Sequence, residues 1–558
     1  MSDILSTPSG KRAAVEAPES SDTAKYAKID HEDAKIDESI ADSPSLETAE
    51  INESQKGGSK EDKPARAGKR DAGGWPKSRK GKAKDTKNVG RRRGTRNEEA
   101  ALSPDAGEPS GDQTPKAPRL PKRQSALLIG FCGTGCNGMQ IQPDVRTIEG
   151  VLFEALVRAG AVSQDNADDP VKVSLSRAAR TDAGVHAAGN LVSMKLITTI
   201  PGVKDFVGRV NEELPPEIRV WGYGRVQNSF NARMSCDSRK YTYFFPTYLL
   251  IPPKPGSAFY RSRQQHAESV QASTGLEGVP HRFWSSIDTE SSTHDDDLLA
   301  KRKWRIEGDQ VELLRQTAKK FEGTHNFHNF TVGREFGDRS SQRHMKKIEI
   351  SEPVVYGDTE WISVLFHGQS FMLHQIRKMM AVLVLSCRTG TPSEVVDELY
   401  GPRMVLVPKM PALGLLLEYP IFDSYNRKVS SINEKLQPTH PEYRPVIDFE
   451  EHRPAIDAFK QKHIYENMRA IEDRDGVFDA WVRSIDIYGG DDLLYLNPKG
   501  IIPSAAVMKK GERRQNAFRE KRRFDLTSFA PEKDTASAVD DEEAEEGSLY
   551  KDLEDTEG

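Results

Sequence analysis

An α+β fold is the class that the sequence predicts, because strand patterns and helix patterns follow one another along the chain. The apolar run SALLIGF at 125–131 is typical of a buried strand. Two segments, 147–160 and 372–390, instead place their apolar residues at helical spacing. Strand–helix–strand units occur in both halves of the chain, although no residue-level repeat is visible. These patterns indicate sheets that are backed by helices.

Three glycines after the first strand resemble a nucleotide site. Gly133, Gly135 and Gly138 match GxGxxG, the fingerprint of dinucleotide-binding proteins. That fingerprint needs a helix that opens at its last glycine, where the helix amides meet a pyrophosphate. Here the helix TIEGVLFEALVRAG begins only near Thr147, a suitable N-cap residue. The spacing therefore disfavours the alternative of a nicotinamide-dependent oxidoreductase.

The segment SLSRAARTDAGVHAAGNLVSMKL, which follows this helix, begins and ends as a strand and has a polar turn in its middle. Arg180 and Asp182 lie in that turn, and the small residues Ala183 and Gly184 come directly after them. A surface ion pair between Arg180 and Asp182 is the ordinary explanation of such a loop. The alternative is a functional carboxylate, to which the small neighbours would keep the approach open.

Between this turn and the C-terminus, helix and strand patterns alternate around one polar insertion. A helix stops at Pro215, a strand resumes at Ile218, and residues 230–249 form a further strand pattern. Residues 251–308 contain few apolar side chains and are interpreted as an insertion loop, partly disordered. Helix patterns return in VELLRQTAKKFEG and in a final helical module at 429–488, with the strand pattern WISVLFHGQSF between them.

Both ends of the chain are predicted to be disordered. Of the 558 residues, 36% are hydrophobic and 30% are charged, and much of the charge lies at the ends. Residues 1–122 contain hardly any aromatic side chain, so this segment cannot bury enough apolar surface to offset its chain entropy. Residues 491–558 are predicted to be a mostly disordered tail that is first basic and then acidic, with DDEEAEEG at 540–547.

Clusters of basic residues in both tails predict either a nuclear localisation signal or an RNA-binding arm. Fourteen Lys or Arg, against two Asp, lie between Lys63 and Arg96, within runs such as KSRKGKAK and GRRRGTR. A second run, KKGERRQNAFREKRR, covers 509–523. Either run is typical of a nuclear address or a nucleic-acid-binding arm, and a solvated linker is the alternative. We expect the protein to be located in the nucleus. A further mitochondrial or cytoplasmic pool is left as an open alternative.

Cysteine usage and hydropathy argue against secreted and membrane-spanning proteins. The chain has four cysteines, too few for a disulfide framework, which predicts a reducing compartment. Cys132 and Cys136 lack a second Cys or His pair nearby, so no zinc site is predicted there. A secretory apolar core and a run of about 18 apolar residues are both missing, so we expect neither export nor a membrane span.

Six motifs occur in an order that is characteristic of one enzyme family: GFCGTGCNGMQIQPDVRTIEGVLFEAL, RAARTDAGVHAAGNLVSMK, FNARMSCDSRKYTY, FEGTHNFHNFT, FMLHQIRKMMAVLV and MPALGLLLE. The chain resembles the tRNA pseudouridine synthase A family, and its eukaryotic branch in particular, over residues 125–490. Cys136 stands where the family commonly has an aromatic residue, and MPALGL replaces its usual APAxGL. Neither departure touches the turn that holds Asp182.

The resemblance implies the pseudouridine synthase fold. In that fold, two similar halves of sheet and helices form one mixed, mostly antiparallel sheet, with a catalytic cleft between the halves. Residues 123–250 would be the first half and 309–425 the second, with the insertion at 251–308 between them. A C-terminal helical extension would cover 426–490.

The resemblance also implies which residues carry the chemistry. Pseudouridine formation breaks the N1–C1′ bond of a uridine, turns the base and rejoins it through C5, without a cofactor or a metal. Asp182 resembles the essential aspartate of the family, a nucleophile or base. Arg377, in HQIRKMM, would keep this carboxylate ionised. Arg180 would enter the stack in place of the flipped-out base, and Tyr241 would stack on that base.

Other polar and aromatic residues near these motifs receive structural interpretations. Tyr243 shares the face of Tyr241 and is predicted to be a core residue. His186 is predicted to have a structural or RNA-contacting role and not to be a general base. His325 and His328 have the spacing of metal ligands, but no third ligand accompanies them, so they are assigned to an RNA-contacting or packing loop.

tRNA is the expected partner, and snRNA and mRNA stay open as further substrates. The side chains predicted to bind the RNA are those of Arg177, Arg180, Arg233, Arg239 and Lys240. A monomer is favoured over a homodimer like that of the bacterial relatives, because the added C-terminal helices could cover the dimer surface. The alternative is a non-catalytic RNA-binding protein on the same fold, which the presence of both Asp182 and Arg377 disfavours.

Overall fold

One mixed sheet of ten strands forms the centre of the protein. The computed structural model describes residues 120–269, 281–509, 511, 512, 514 and 524–529. Nearly all of the predicted N-terminal tail, most of the basic run at 509–523 and the acidic C-terminal stretch lie outside the described residues.

The strands of this sheet come from the whole length of the core. They are β1 (Arg123–Phe131), β2 (Ser176–Arg177), β3 (His186–Leu196), β4 (Ile218–Arg225), β5 (Ser238–Pro246), β6 (Gly323–Asn326), β7 (Gln342–Ile350), β8 (Val354–Tyr356), β9 (Thr359–Gly368) and β10 (Leu415–Ile421). Their order is β4-β1-β3-β10-β5-β9-β7-β6, with β2 beside β3 and β8 beside β9. Only the β3–β10 pairing, with Leu416 opposite His186, is parallel among the strands described.

Helices pack around the sheet, and the α+β prediction is confirmed. They are α1 (Ile148–Arg158), α2 (Phe206–Glu213), α3 (Ala258–Ser269), α4 (Arg282–Ser285), α5 (His294–Lys303), α6 (Gly308–Lys319), α7 (Gln375–Thr389), α8 (Val395–Leu399), α9 (Asp423–Asn433), α10 (Arg453–Phe459), α11 (Glu466–Asp475) and α12 (Val477–Ile487). A π-helical stretch, Lys460–Tyr465, joins α10 to α11. Within the described ranges, no helix combines the length and the apolar character that crossing a membrane requires.

The start of α1 confirms why the glycine fingerprint is misleading. Thr147 caps the helix, since its side-chain oxygen accepts a hydrogen bond of 3.2 Å from the amide of Gly150. Gly138 lies ten residues before Ile148, the first helical residue, so no helix opens at this glycine. Its carbonyl oxygen accepts a hydrogen bond of 3.1 Å from the amide of Ile148, so that helix amide is already bonded. The geometry that a pyrophosphate needs is therefore missing at the last glycine of the motif.

The prediction that 251–308 is a loop is wrong, because most of its described residues form α3, α4 and α5. A capping box begins α5: Thr293 accepts from the amide of Asp296, whose carboxylate accepts from the amide of Thr293. Acidic residues fill the first turn of this helix and basic residues its last, as the helix dipole favours. These local signals are present in THDDDLLAKRK, but the low hydrophobicity of the segment conceals them.

The boundary that was predicted at residue 490 is also wrong. Residues beyond it continue the core, since Leu493, Tyr495 and Leu496 are buried. Val507 forms a β-bridge with Val405. Farther along, Phe524 is also buried in the core. The tail that the sequence predicts at 491–558 therefore contains two segments, 491–509 and 524–529, that belong to the folded part.

The two faces of β5 separate the site from the π-helical stretch. Tyr241 and Tyr243 lie on one face, where the charges of Asp182 and Arg377 reach them. On the other face, Thr242 donates a hydrogen bond of 2.7 Å to the carboxylate of Glu418. That carboxylate also forms an ion pair with Lys460 of the π-helical stretch. The site described below lies on the face of the two tyrosines.

Candidate active site

Asp182 lies in the turn between β2 and β3, as the sequence predicts. The loop after β1 holds this turn by two backbone hydrogen bonds, Gly184 N to Cys136 O at 3.1 Å and Met139 N to Thr181 O at 3.1 Å. Gly138 permits this contact, because a Cβ atom on it would lie 2.7 Å from the carbonyl oxygen of Thr181. The first motif thus serves as a support for the turn.

Two further side chains fix the backbone on either side of the turn. The amide of Asn190 bonds to both the N–H and the C=O of Ala179, at 3.2 and 2.9 Å. His186 is fully buried, and its Nδ1 accepts a hydrogen bond of 3.0 Å from the amide of Gly133. Burial lowers the pKa of His186 to about 4, so the ring is neutral at physiological pH. Of the structural and RNA-contacting roles predicted for His186, the structure supports the structural one.

Arg377 lies on α7 and is entirely buried. Its Nε donates a hydrogen bond of 2.7 Å to the carbonyl oxygen of Met410, and its Nη1 lies 3.8 Å from Oδ2 of Asp182. The structure thus brings together the two residues that the motifs predicted to be partners. The MPALGL motif, which begins at Met410, holds the arginine in place.

Asp525 completes this group, and the sequence did not predict it. Its carboxylate forms a short ion pair with Nη2 of Arg377 and lies 2.7 Å from Nζ of Lys409. Burial would raise the pKa of Asp525, but the charges of Arg377 and Lys409 lower it to about 2. The sequence offers one hint that this segment packs on the core, namely the apolar residues at 524, 526 and 529. Three residues are too short a pattern to predict that packing.

His374 is a second group beside Asp182 that the motifs did not single out. Its Nε2 lies 3.6 Å from Oδ2 of Asp182. The residue has a left-handed backbone with φ of 59° directly before α7. Burial lowers the pKa of His374 to about 4, although the Asp182 charge opposes that shift. A neutral imidazole therefore lies beside the carboxylate at physiological pH.

Tyr241 is buried on β5, and its ring contacts Phe371 edge to face at a centroid distance of 5.2 Å. Burial raises the pKa of its hydroxyl, and the charge of Asp182 raises it further. The hydroxyl is therefore protonated near neutral pH. Tyr243 is a core residue as predicted, since its buried hydroxyl donates a hydrogen bond of 2.6 Å to the carbonyl oxygen of Pro411.

Arg177 and Arg180 lie on the side of the turn that faces α1. Arg177 forms a short ion pair with Glu149, a fully buried residue at the start of α1. Burial raises the pKa of Glu149, and the charges of Arg177 and Arg180 oppose that shift. Arg177 is therefore held by a structural partner, whereas the side chain of Arg180 is exposed.

The remaining predicted binding residues lie in different environments. Arg239 links the residues that follow β2 and β9, donating hydrogen bonds of 2.7 and 3.1 Å to Ala178 O and one of 3.1 Å to Gln369 O. Arg233 is exposed in the turn before β5. Lys240 points to the opposite face of the sheet, where its Nζ lies 3.3 Å from the hydroxyl of Tyr419. The structure does not bring Lys240 to Asp182.

The His325 and His328 motif packs the second half of the core. His325 stacks on Tyr400 with ring centroids 4.3 Å apart, and its Nε2 lies 2.7 Å from the carbonyl oxygen of Glu322. Asn329 bonds to the backbone at Leu399, Arg403 and Val405. No cluster of three or more His, Cys, Asp or Glu side chains suited to a metal ion occurs in the described ranges.

Together these groups provide one partly exposed carboxylate, that of Asp182, beside a buried arginine. A quarter of the Asp182 side chain is exposed, whereas that of Arg377 is completely buried behind it. A partly exposed carboxylate beside a buried arginine suits attack on, or proton removal from, a planar ligand that enters the turn.

Comparisons with known proteins agree with this geometry. The family model of tRNA pseudouridine synthase matches residues 317–423. The tRNA pseudouridine synthase 1 of Kluyveromyces lactis is 40% identical over 428 residues, which cover 70% of this chain and 74% of the relative. The protein of that name from Schizosaccharomyces pombe is 37% identical over 477 residues, covering 69% and 87%.

A relative with another name has the same sequence identity over a shorter stretch. The tRNA pseudouridine(27/28) synthase of Saccharomyces cerevisiae is 40% identical over 328 residues, covering 55% of this chain and 86% of the relative. The chain belongs to the tRNA pseudouridine synthase family, as its six motifs predicted.

Proposed function

We propose that this protein isomerises uridines of tRNA to pseudouridine, with Asp182 as the catalytic residue. The observation that carries the proposal is the ion pair between Asp182, in an accessible turn, and the buried Arg377. The reaction breaks the N1–C1′ bond and forms a C5–C1′ bond. A proton leaves C5 and N1 gains one, so the conversion is balanced without any co-reactant.

Three steps are open to the carboxylate of Asp182. It can attack C1′, attack C6 of the base, or remove a proton from the sugar, and each of them requires the ionised form. The guanidinium group of Arg377 lies 3.8 Å from this carboxylate, and the neutral His374 lies 3.6 Å away as a hydrogen-bonding group. The position of Asp182 between these two groups suits all three steps.

Tyr241 and Arg180 are assigned to the flipped-out nucleotide. The hydroxyl of Tyr241 lies within reach of the Asp182 charge, and its ring offers a surface on which a base can stack, an interaction worth about 1–3 kcal/mol per base. Arg180 is exposed two residues before Asp182 and can fill the space that the base leaves. Replacing Tyr241 with Leu should therefore slow the reaction, measured as single-turnover conversion.

tRNA is recognised, in this proposal, through its backbone and shape as well as through the flipped base. Arg180, Arg233 and Arg239 are the basic side chains that we assign to this contact. The relatives named tRNA pseudouridine synthase 1 and tRNA pseudouridine(27/28) synthase are both 40% identical to this chain, so sequence similarity leaves the modified positions open. snRNA and mRNA are further RNA classes that the same site could accept.

The test is to map pseudouridines chemically in tRNA transcripts that have been incubated with the purified protein. Wild-type protein should convert specific uridines, and Asp182→Asn should convert none while its affinity for tRNA stays within a few fold. If Asp182→Asn remains active, the assignment of the catalytic residue is wrong. Binding without conversion by the wild-type protein would support a non-catalytic RNA-binding protein instead.

We also propose that the protein is a nuclear monomer. The basic runs at 77–84 and 90–96 would supply the address, and the C-terminal helices would cover the surface that bacterial relatives use for dimers. Replacing the Lys and Arg residues of 77–93 with Ser should move a fluorescent fusion out of the nucleus. Light scattering of the purified protein tests the monomer.

A further inference from the structure

The segment 524–529 lies directly against the turn that carries Asp182. Three of its carbonyl groups accept hydrogen bonds of 2.8 to 2.9 Å, in the pairs Ala412 N to Phe524 O, Gly135 N to Thr527 O, and Arg474 Nη2 to Ser528 O. Gly184 touches the same segment, because a Cβ atom there would lie 2.1 Å from the carbonyl oxygen of Asp525. The glycine after the turn thus makes room for the C-terminal segment and does not open the turn to solvent.

Asp525 determines how Arg377 is oriented. The guanidinium group is planar, so two fixed nitrogens also fix the third. Its Nε is held by Met410 O at 2.7 Å and its Nη2 by the carboxylate of Asp525. Nη1 then points toward Asp182 and, in the part of the chain that is described, has no hydrogen-bond partner.

The charges of this group balance only when Asp525 is present. Arg377 and Lys409 are two cations, and Asp182 and Asp525 are two carboxylates within reach of them. Without Asp525, the guanidinium group would be attracted to Asp182 alone. A close bidentate pair would then occupy the oxygens that must react, since such pairs are the strongest ones that arginine forms.

We propose that Asp525 is a positioning residue, which holds Arg377 at a distance from Asp182 so that the carboxylate stays available for reaction. The proposal rests on the function proposed above. It assigns a part in catalysis to a C-terminal segment that lies 343 residues after the turn. Asp525 does not have to touch the RNA, because it acts through the arginine.

The proposal is tested with Asp525→Ala in the full-length chain. Single-turnover conversion of tRNA should slow by on the order of 10²-fold, as displaced catalytic groups typically do, while the affinity for tRNA stays within a few fold. Sodium formate should restore part of the rate, because a small carboxylate fits between Arg377 and Lys409. Sodium chloride at equal ionic strength should not.

Asp486→Ala is the matched control. Asp486 pairs with Arg388, another buried arginine of α7, at 2.6 and 3.0 Å, but it lies away from the turn. This variant should lose thermal stability and keep the single-turnover rate. If Asp525→Ala only loses stability in the same way, or if formate has no effect, Asp525 is a structural anchor and the proposal fails.

Two other outcomes also decide the question. A rate near that of the wild type in Asp525→Ala would show that Arg377 needs no positioning, and a faster rate would show that the segment restrains the enzyme. Either result overturns the proposal. Asp182→Asn belongs in the same series: if it stays active, the proposed function has failed, whereas an inactive Asp182→Asn beside a normal Asp525→Ala rejects only this inference.

Discussion

Oδ2 of Asp182 lies 3.8 Å from Nη1 of Arg377, although one residue lies in a hairpin turn and the other on a buried helix. This distance is longer than a hydrogen bond, so the arginine supplies charge without covering the carboxylate. The parallel pairing of β10 with β3 and the MPALGL segment before β10 bring the two parts of the chain together. The contact therefore depends on the fold of both halves of the core.

Replacing Arg377 should damage activity and stability to different degrees. Arg377→Leu leaves two carboxylates without their shared cation, a change that typically costs about 3–5 kcal/mol, so this variant should be inactive and strongly destabilised. Arg377→Lys keeps the charge but cannot bind Met410, Asp525 and Asp182 together. It should unfold at a higher urea concentration than Arg377→Leu and still convert tRNA far more slowly than the wild type.

Urea unfolding and single-turnover conversion, measured on both variants, separate the two effects. An Arg377→Lys protein with nearly full activity would mean that charge alone is sufficient, and that the orientation of the guanidinium group is unimportant.

The basic residues proposed to bind RNA can be compared with one that lies on the opposite face. Arg180→Ala and Arg233→Ala should each weaken tRNA binding and reduce the slope of its salt dependence by roughly 0.7–0.9 for each phosphate that is no longer neutralised. Lys240→Ala should change neither quantity, because Lys240 faces Tyr419 across the sheet from Asp182. Binding titrations over a range of salt concentrations measure both effects. An equal loss in all three variants would mean that the RNA covers both faces.

The motifs predicted the core of the site, because each of them fixes local structure. The turn of Asp182, the cap of α1 at Thr147 and the burial of Arg377 in α7 all follow from short stretches of sequence. The period of two in RKYTY also contains the information that Lys240 and Tyr241 face opposite sides of the sheet. The prediction that Lys240 binds RNA beside Tyr241 does not take that alternation into account.

The parts that were not predicted depend on long-range contacts. Asp525 follows a basic run, and only packing against residues such as Ala412 gives its segment a place in the fold. The insertion at 251–308 likewise buries a few large residues, including Phe259 and Trp284, against a core that lies elsewhere in the sequence. Low average hydrophobicity does not reveal that kind of docking, because a few anchors are enough for it.

Glu472 should make the stability of the protein depend on pH. Burial raises the pKa of this carboxyl to about 7, well above its usual value. The folded state therefore holds a proton that the unfolded state has released. The contribution of Glu472 to stability is complete below about pH 4.5 and is lost as the pH rises through 7, by about 3 kcal/mol in total.

Glu472→Gln resembles the protonated form, which Tyr248 and the amide of Phe478 contact. The variant should match the wild type near pH 5 and exceed it in free energy of unfolding at pH 8. Urea unfolding at pH 5, 6, 7 and 8 measures the difference in free energy of unfolding between the two proteins. Groups that titrate in the same way in both proteins cancel in this difference. If the free energies of unfolding of the two proteins differ by the same amount at every pH in this range, Glu472 is already ionised in the folded protein.

The limits of the catalytic core can be tested with two shortened chains. Residues 120–529 retain every described contact of the site, including those of Phe524, Asp525 and Thr527. A chain of these residues should fold and isomerise uridine in purified tRNA at close to the full rate. A chain that ends at Arg514 lacks the carboxylate between Arg377 and Lys409, so it should bind tRNA but convert it slowly. Equal rates in the two chains would place the core boundary before residue 524, and a loss of activity in both would assign a catalytic role to residues outside 120–529.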